Sequence, residues 1–162
     1  MRKQANKRPY RGGKPRRWRE EQKYHNWRRD VFKVWQNECA ITGTKNIKDN
    51  NGNPVLVAHH LISASSSDKA AYNVKNGIVI HKDLHILFHK NFGYRNNTFS
   101  QFKNFLICLL NNEISMPISS QILSAQQSWA DNNGSETTVF NTERINKLHE
   151  YLSEIEHGIN FT

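Results

Sequence analysis

From Glu20 to Asn37 the apolar residues Tyr24, Trp27, Val31, Val34 and Trp35 recur every three to four positions, with Lys23, Arg28 and Arg29 between them. That period predicts an amphipathic helix with one packed side and one basic side, its aromatic stripe belonging to the core. The pattern then changes. Asn50 to Pro54 reads Asn-Asn-Gly-Asn-Pro, which is turn chemistry, and Val55 to Ile62 reads as a strand carrying His59 and His60 near its end. A polar stretch from Ser63 to Lys75 follows, with a loop of small residues at its start. Gly77 to Ile80 predicts a short strand, and Asp83 to Asn91 a short helix that Gly93 terminates.

Thr98 and Gln101 have the spacing of a capping box for another helix, whose buried face would be Phe102, Phe105, Leu106, Leu109 and Leu110. Ser119 to Ala130 is weakly helical, and Asp131 to Ser135 is a loop with an Asn-Gly turn. Asn141 or Thr142 caps a last helix that ends near Gly158 and aligns Ile145, Leu148, Leu152 and Ile155 in one stripe. The stripe is expected to pack on the core or on a second subunit. Strand, loop, strand and helix, with helices on either side, predict an α+β fold.

A chain of 162 residues supports one modest core with extended arms rather than two ordinary domains. Its mean hydropathy of −0.79 is low for a compact globule, so part of the chain is expected to order only on a partner. We divide it into a basic arm at 1–19, a core at 20–110 and a helical extension at 111–162 for DNA contact or dimerisation.

The charge singles out the arm. Residues 1–33 hold thirteen of the 23 Lys and Arg against Glu20, Glu21 and Asp30, so the whole positive excess of the chain lies there. Such a block binds phosphates through counterion release, independently of base sequence. Within it Arg8, Arg11, Arg16, Arg17, Arg28 and Arg29 are candidate DNA-contacting residues, joined further on by Lys90 and Arg95. Cys39 and Cys108 are too far apart for a zinc-ribbon pair and too few for a disulfide framework, which suits a reducing, cytoplasmic setting. The longest apolar run, Phe105 to Leu110, is far short of a membrane span, and no apolar signal region follows the basic start.

Five of the eight histidines fall between His59 and His89. Adjacent residues on a strand point to opposite faces, so one of His59 and His60 can ligate a metal while the other points elsewhere. His85 and His89 are four apart on the predicted helix, the spacing by which one helix face offers two nitrogens to one ion. A common ion then requires that helix to lie across an antiparallel pair of Val55 to Ile62 with Gly77 to Ile80. His25, His149 and His157 have no such context.

At these residues the chain resembles the HNH, or ββα-metal, nucleases. The similarity lies in CAITG from Cys39 to Gly43, VAHHL from Val57 to Leu61, NGIVIHKDLH from Asn76 to His85 and FHKNFG from Phe88 to Gly93, and covers about residues 27–105. The His-x-x-x-His ending resembles the colicin-type branch, whereas Phe88, Gly93 and the Asn-Asn-Thr at 96–98 resemble phage and organellar homing endonucleases. The resemblance implies a ββα-metal catalytic core that hydrolyses double-stranded DNA with one divalent metal ion per site, magnesium or manganese, with zinc or another transition metal as the alternative. It makes His59, His85 and His89 the metal ligands and His60 the general base. Asn76 would hold the loop and orient His60. It also implies a phage-infected bacterium or an organelle as the setting.

Many members of the family hold a structural zinc on two Cys-x-x-Cys-like pairs, and here those positions read Cys39, Thr42, His81 and Leu84. Two ligands do not close a tetrahedral site, so Cys39 is expected to pack in the core and His81 to be structural or DNA-facing. One active site per chain predicts nicking unless two copies assemble as a homodimer. The competing readings are a restriction-type or general HNH nuclease and a non-catalytic nucleic-acid-binding protein with a structural zinc.

Overall fold

A computed structural model describes residues 21–111, 113–114 and 140–158. The arm at 1–19, with Arg8, Arg11, Arg16 and Arg17, lies outside the described residues, as do the weak helix at 119–130 and the loop at 131–135. Helix α1 (Gln22–Val34) opens the described chain, with Trp27, Val31 and Phe32 buried. Phe32, rather than the expected Val34, completes its packed face, and Val34 is 54% exposed. Val34 lies within about 20° of Trp27 around the helix, so direction does not exclude it; it is the last residue of α1, at the end of the packed face.

Gln36 and Asn37, both with positive φ, turn the chain out of α1 into a tight knuckle at residues 38–45. Cys39 N–H donates to Thr44 O, Gly43 N–H donates to Cys39 O, and Gly43 takes φ +74 at the bend. The expected turn at 50–54 forms around Asp49, whose carboxylate accepts from the amides of Asn51 and Asn53. Lys82 donates to the same carboxylate, and this contact is the main reason that the Asp49 pKa falls below its ordinary value.

Strands β1 (Leu56–His60) and β2 (Gly77–His81) pair antiparallel, with His59 opposite Ile78 and His60 opposite Gly77. Helix α3 (Lys82–Phe92) follows directly and packs on both strands, giving the expected ββα unit. Between the strands, where the sequence predicted only a polar stretch, lie helix α2 (Asp68–Tyr72) and a 3-10 turn (Val74–Asn76). Both are made by local caps too short to register as periodicity: Ser67 Oγ accepts from Ala70 N–H and Asn73 Oδ1 from Lys75 N–H.

Helix α4 (Phe99–Leu110) starts with both halves of the predicted capping box, Thr98 with Gln101, and buries Phe99, Phe102, Phe105, Leu106 and Leu109. Helix α5 (Thr142–Gly158) buries Ile145, Leu148 and Leu152 and packs on α4, where Lys103 pairs with Glu156. Its stripe therefore faces the core of its own chain. Asn141 Oδ1 accepts from Arg144 N–H at the start of α5, as the cap residue should.

Candidate metal centre and catalytic loop

On β1 His59 is 3% exposed, whereas the adjacent His60 is only half-buried. The His59 ring lies against Phe88 of α3 and Phe102 of α4. One helical turn separates His85 from His89, and α3 aims both at His59, each with its ring centroid 5.2 Å away. The ligand atoms of the three imidazoles all lie within 4.8 Å of one another. Among the described residues this is the group able to hold a metal ion.

Two features tell what these nitrogens are poised for. His89 Nδ1 donates to Gly93 O at 2.7 Å, which leaves the lone pair of a neutral ring on Nε2, and that atom is 3.2 Å from His85 Nε2. Gly93, with φ +82 at the end of α3, thus sets the ligand tautomer as well as stopping the helix. His59 Nε2 is buried with no hydrogen-bond partner. A polar atom left so costs about 1–3 kcal/mol. Burial first, and the imidazoles of His85, His89 and His60 after it, hold the His59 pKa well below the ordinary histidine value. A neutral, desolvated imidazole packed beside two others suits a cation held between the three rings.

His60, on the other side of β1, is held by separate elements. Its Nε2 lies 2.9 Å from Ala71 O. A carbonyl only accepts, so Nε2 carries the proton and the neutral ring has its lone pair on Nδ1. The ring is stacked on the indole of Trp27 at 3.8 Å between centroids and 4° between planes. Asn76 is fully buried: its Oδ1 accepts from Ile62 N–H, and its Nδ2 donates to Ile62 O and Ala70 O. It staples the two ends of the loop between β1 and α2. Its connection to His60 runs through adjacent carbonyls, Ala70 held by Asn76 and Ala71 held to His60.

The remaining candidates are more dispersed. His81 is fully buried and its Nδ1 accepts from Asp83 N–H as the N-cap of α3. Cys39 is fully buried in the core, its Sγ accepting from the amides of Thr42 and His81. Arg144 of α5 reaches the same knuckle, donating from Nε to Ala40 O and from Nη2 to Cys39 O. Arg28 lies over the Phe32 ring, Arg29 pairs with Asp30 on the surface, and Lys90 and Arg95 are exposed beside the metal-ligating end of α3. His25, His149 and His157 lie outside the cluster.

Sequence reasoning missed several contributors. Trp27 was read only as core, yet it forms one wall of the His60 site, and Phe88 and Phe102 wall the His59 pocket. Tyr94, 72% exposed, stacks on His89 at 4.6 Å and 11°. No spacing rule places an aromatic of α1 or α4 against a strand histidine. Only the arrangement of the helices does so.

The ββα unit thus gathers three imidazoles on one side of its first strand and holds a fourth, His60, on the other. Residues 39–92, about a third of the chain, match the HNH endonuclease family, which supports a nuclease domain in that stretch. HNH domains generally use a divalent metal, and the His59, His85 and His89 cluster fits one. No curated protein and no solved structure matches the chain. Among the described residues no helix is long and apolar enough to cross a membrane.

Proposed function

We propose that the chain is a metal-dependent, site-specific endonuclease that hydrolyses double-stranded DNA, of the homing type. The observation that carries this reading is the convergence of the buried His59, whose Nε2 has no hydrogen-bond partner, with His85 and His89, while His60 is fixed independently on the same strand. His59, His85 and His89 would hold one divalent ion. When bound, such an ion stabilises the charge on the scissile phosphate and the leaving 3′ oxygen. His60 takes the proton of the attacking water on Nδ1, because Ala71 O holds Nε2 as the protonated nitrogen. Asn76 keeps the loop that supplies Ala71 in place. Three imidazoles favour zinc or another transition metal, and magnesium or manganese needs oxygens from phosphate and water to complete its shell.

Site specificity and the homing subtype rest on the resemblance to phage and organellar enzymes and on the basic block, which provides grip while groove contacts specify sequence. The Lys90 and Arg95 side chains, next to the ligand helix, and Arg28 and Arg29 on α1 extend that grip. A structural-zinc protein would use the same three ligands, but it leaves the fixed His60 without a task. The test is incubation with phage or plasmid DNA plus magnesium, manganese or zinc, read on native and denaturing gels. His60→Ala should abolish cleavage with DNA binding and folding retained, and wild-type cutting by that variant would remove His60 as the base. Deleting residues 1–19 should weaken binding and flatten its salt dependence.

A further inference from the structure

The indole of Trp27 does something that core packing alone does not demand. It is 2% exposed, and it lies flat on the His60 ring at 3.8 Å and 4°. Tyr24, one helical turn earlier, also stacks on this indole, at 5.7 Å and 26°. Trp27 therefore links an aromatic pair of α1 to the His60 ring of β1. A stacked partner fixes the plane of an imidazole, whereas a hydrogen bond to one nitrogen fixes its rotation within that plane. Ala71 O supplies the second constraint and Trp27 the first.

The platform itself is anchored to the loop it serves. Trp27 Nε1–H donates to Asn73 O at 2.9 Å, and Nε1–H of Trp35, the C-cap of α1, donates to Gly77 O at 3.1 Å, so two indoles hold the backbone on either side of Asn76 in sequence. Gly77 sits so close to α1 that a Cβ there would be 2.3 Å from Val31 Cγ2 and 3.0 Å from Trp27 Cζ2. His60 is opposite Gly77 in the sheet register. Helix α1, the catalytic loop and the His60 ring thus share one rigid contact zone.

We propose that Trp27 is a positioning residue for His60, its indole face holding the imidazole in the plane that aims Nδ1 at the attacking water. This rests on His60 being the base, and the experiment separates the two. The full-length chain with manganese is assayed on bis(4-nitrophenyl) phosphate, a diester that carries no base sequence, so kcat and KM are read without knowing the target site. His60→Ala is measured first: a drop of about a hundredfold or more, to a residual metal-dependent turnover, upholds the base, and wild-type turnover overturns it and the platform with it. Trp27→Leu should then lower kcat at least tenfold, since a misplacement of about 1 Å in a reacting group costs about a hundredfold. KM and manganese affinity should stay within twofold. Trp27→Phe keeps a flat face without the indole N–H and should remain within threefold of wild type in kcat. In a His60→Ala background, Trp27→Leu should cause no further loss, because its effect passes through His60.

Should Trp27→Leu not fold, Trp27→Met, which fills similar space with a flexible chain, carries the same comparison. The idea fails if the Leu or Met variant turns over within threefold of wild type. It also fails if Phe is as slow as Leu, which would assign the effect to the Asn73 hydrogen bond, or if the Leu loss persists in full without His60.

Discussion

Replacing Asn76 with Ala should destabilise the chain by about 3–4 kcal/mol, more than an ordinary polar-to-Ala change. The side chain makes three hydrogen bonds, at 2.7 Å from Ile62 N–H, 2.9 Å to Ile62 O and 2.9 Å to Ala70 O. Each contributes about 0.5–1 kcal/mol net, and the one buried partner left unmatched adds about 1–2 kcal/mol. The Ile62 groups are only part-buried, so water can replace the lost partner, whereas the bond to Ala70 O is buried and carries the extra penalty. For an ordered core of this size the loss corresponds to a fall in Tm of roughly 10–15 °C. Urea unfolding in the presence of a chelator measures it free of metal linkage, with an unchanged m-value confirming that midpoints can be compared. Asn76→Asp is the control: it keeps an acceptor for Ile62 N–H but sets a carboxylate against two carbonyl oxygens, and should be at least as unstable as Ala. A loss under about 1 kcal/mol for Ala, or wild-type stability for Asp, would refute the stapling account.

The metal centre is tested by thermal unfolding with zinc or manganese at a hundredfold excess over Kd, which should stabilise the chain by about 2.7 kcal/mol. His59→Leu should abolish that response yet be no less stable than wild type in chelator, because it removes a buried nitrogen that has no partner. Arg144→Met should cost about 2–3 kcal/mol in urea unfolding by releasing α5 from the Cys39 and Ala40 carbonyls, and a neutral result would discount that anchor. Gly77→Ala should cost about 1–3 kcal/mol by the same measurement, since its Cβ would clash with Val31, and full stability would show that α1 can move aside.

Much of this protein is written in local sequence. The capping box at Thr98 and Gln101, the stop at Gly93 and the stripe from Ile145 to Leu152 follow from caps and periodicity that act over a few residues. The His85 and His89 pair is legible for the same reason, because four residues is one turn of a helix. What lies across the molecule is not. The Trp27 stack on His60 joins residues 33 positions apart, and the Phe102 wall of the His59 pocket comes from a helix that begins only after the ββα unit ends. Arg144 binds a knuckle about a hundred residues away, where the family pattern suggested only missing zinc ligands. Such contacts depend on how helices α1, α4 and α5 are laid over the sheet, which is decided by the burial of whole faces at once. The sequence by itself determined which groups could do the chemistry, and the tertiary packing decided which nitrogen of each ring is presented and what holds it there.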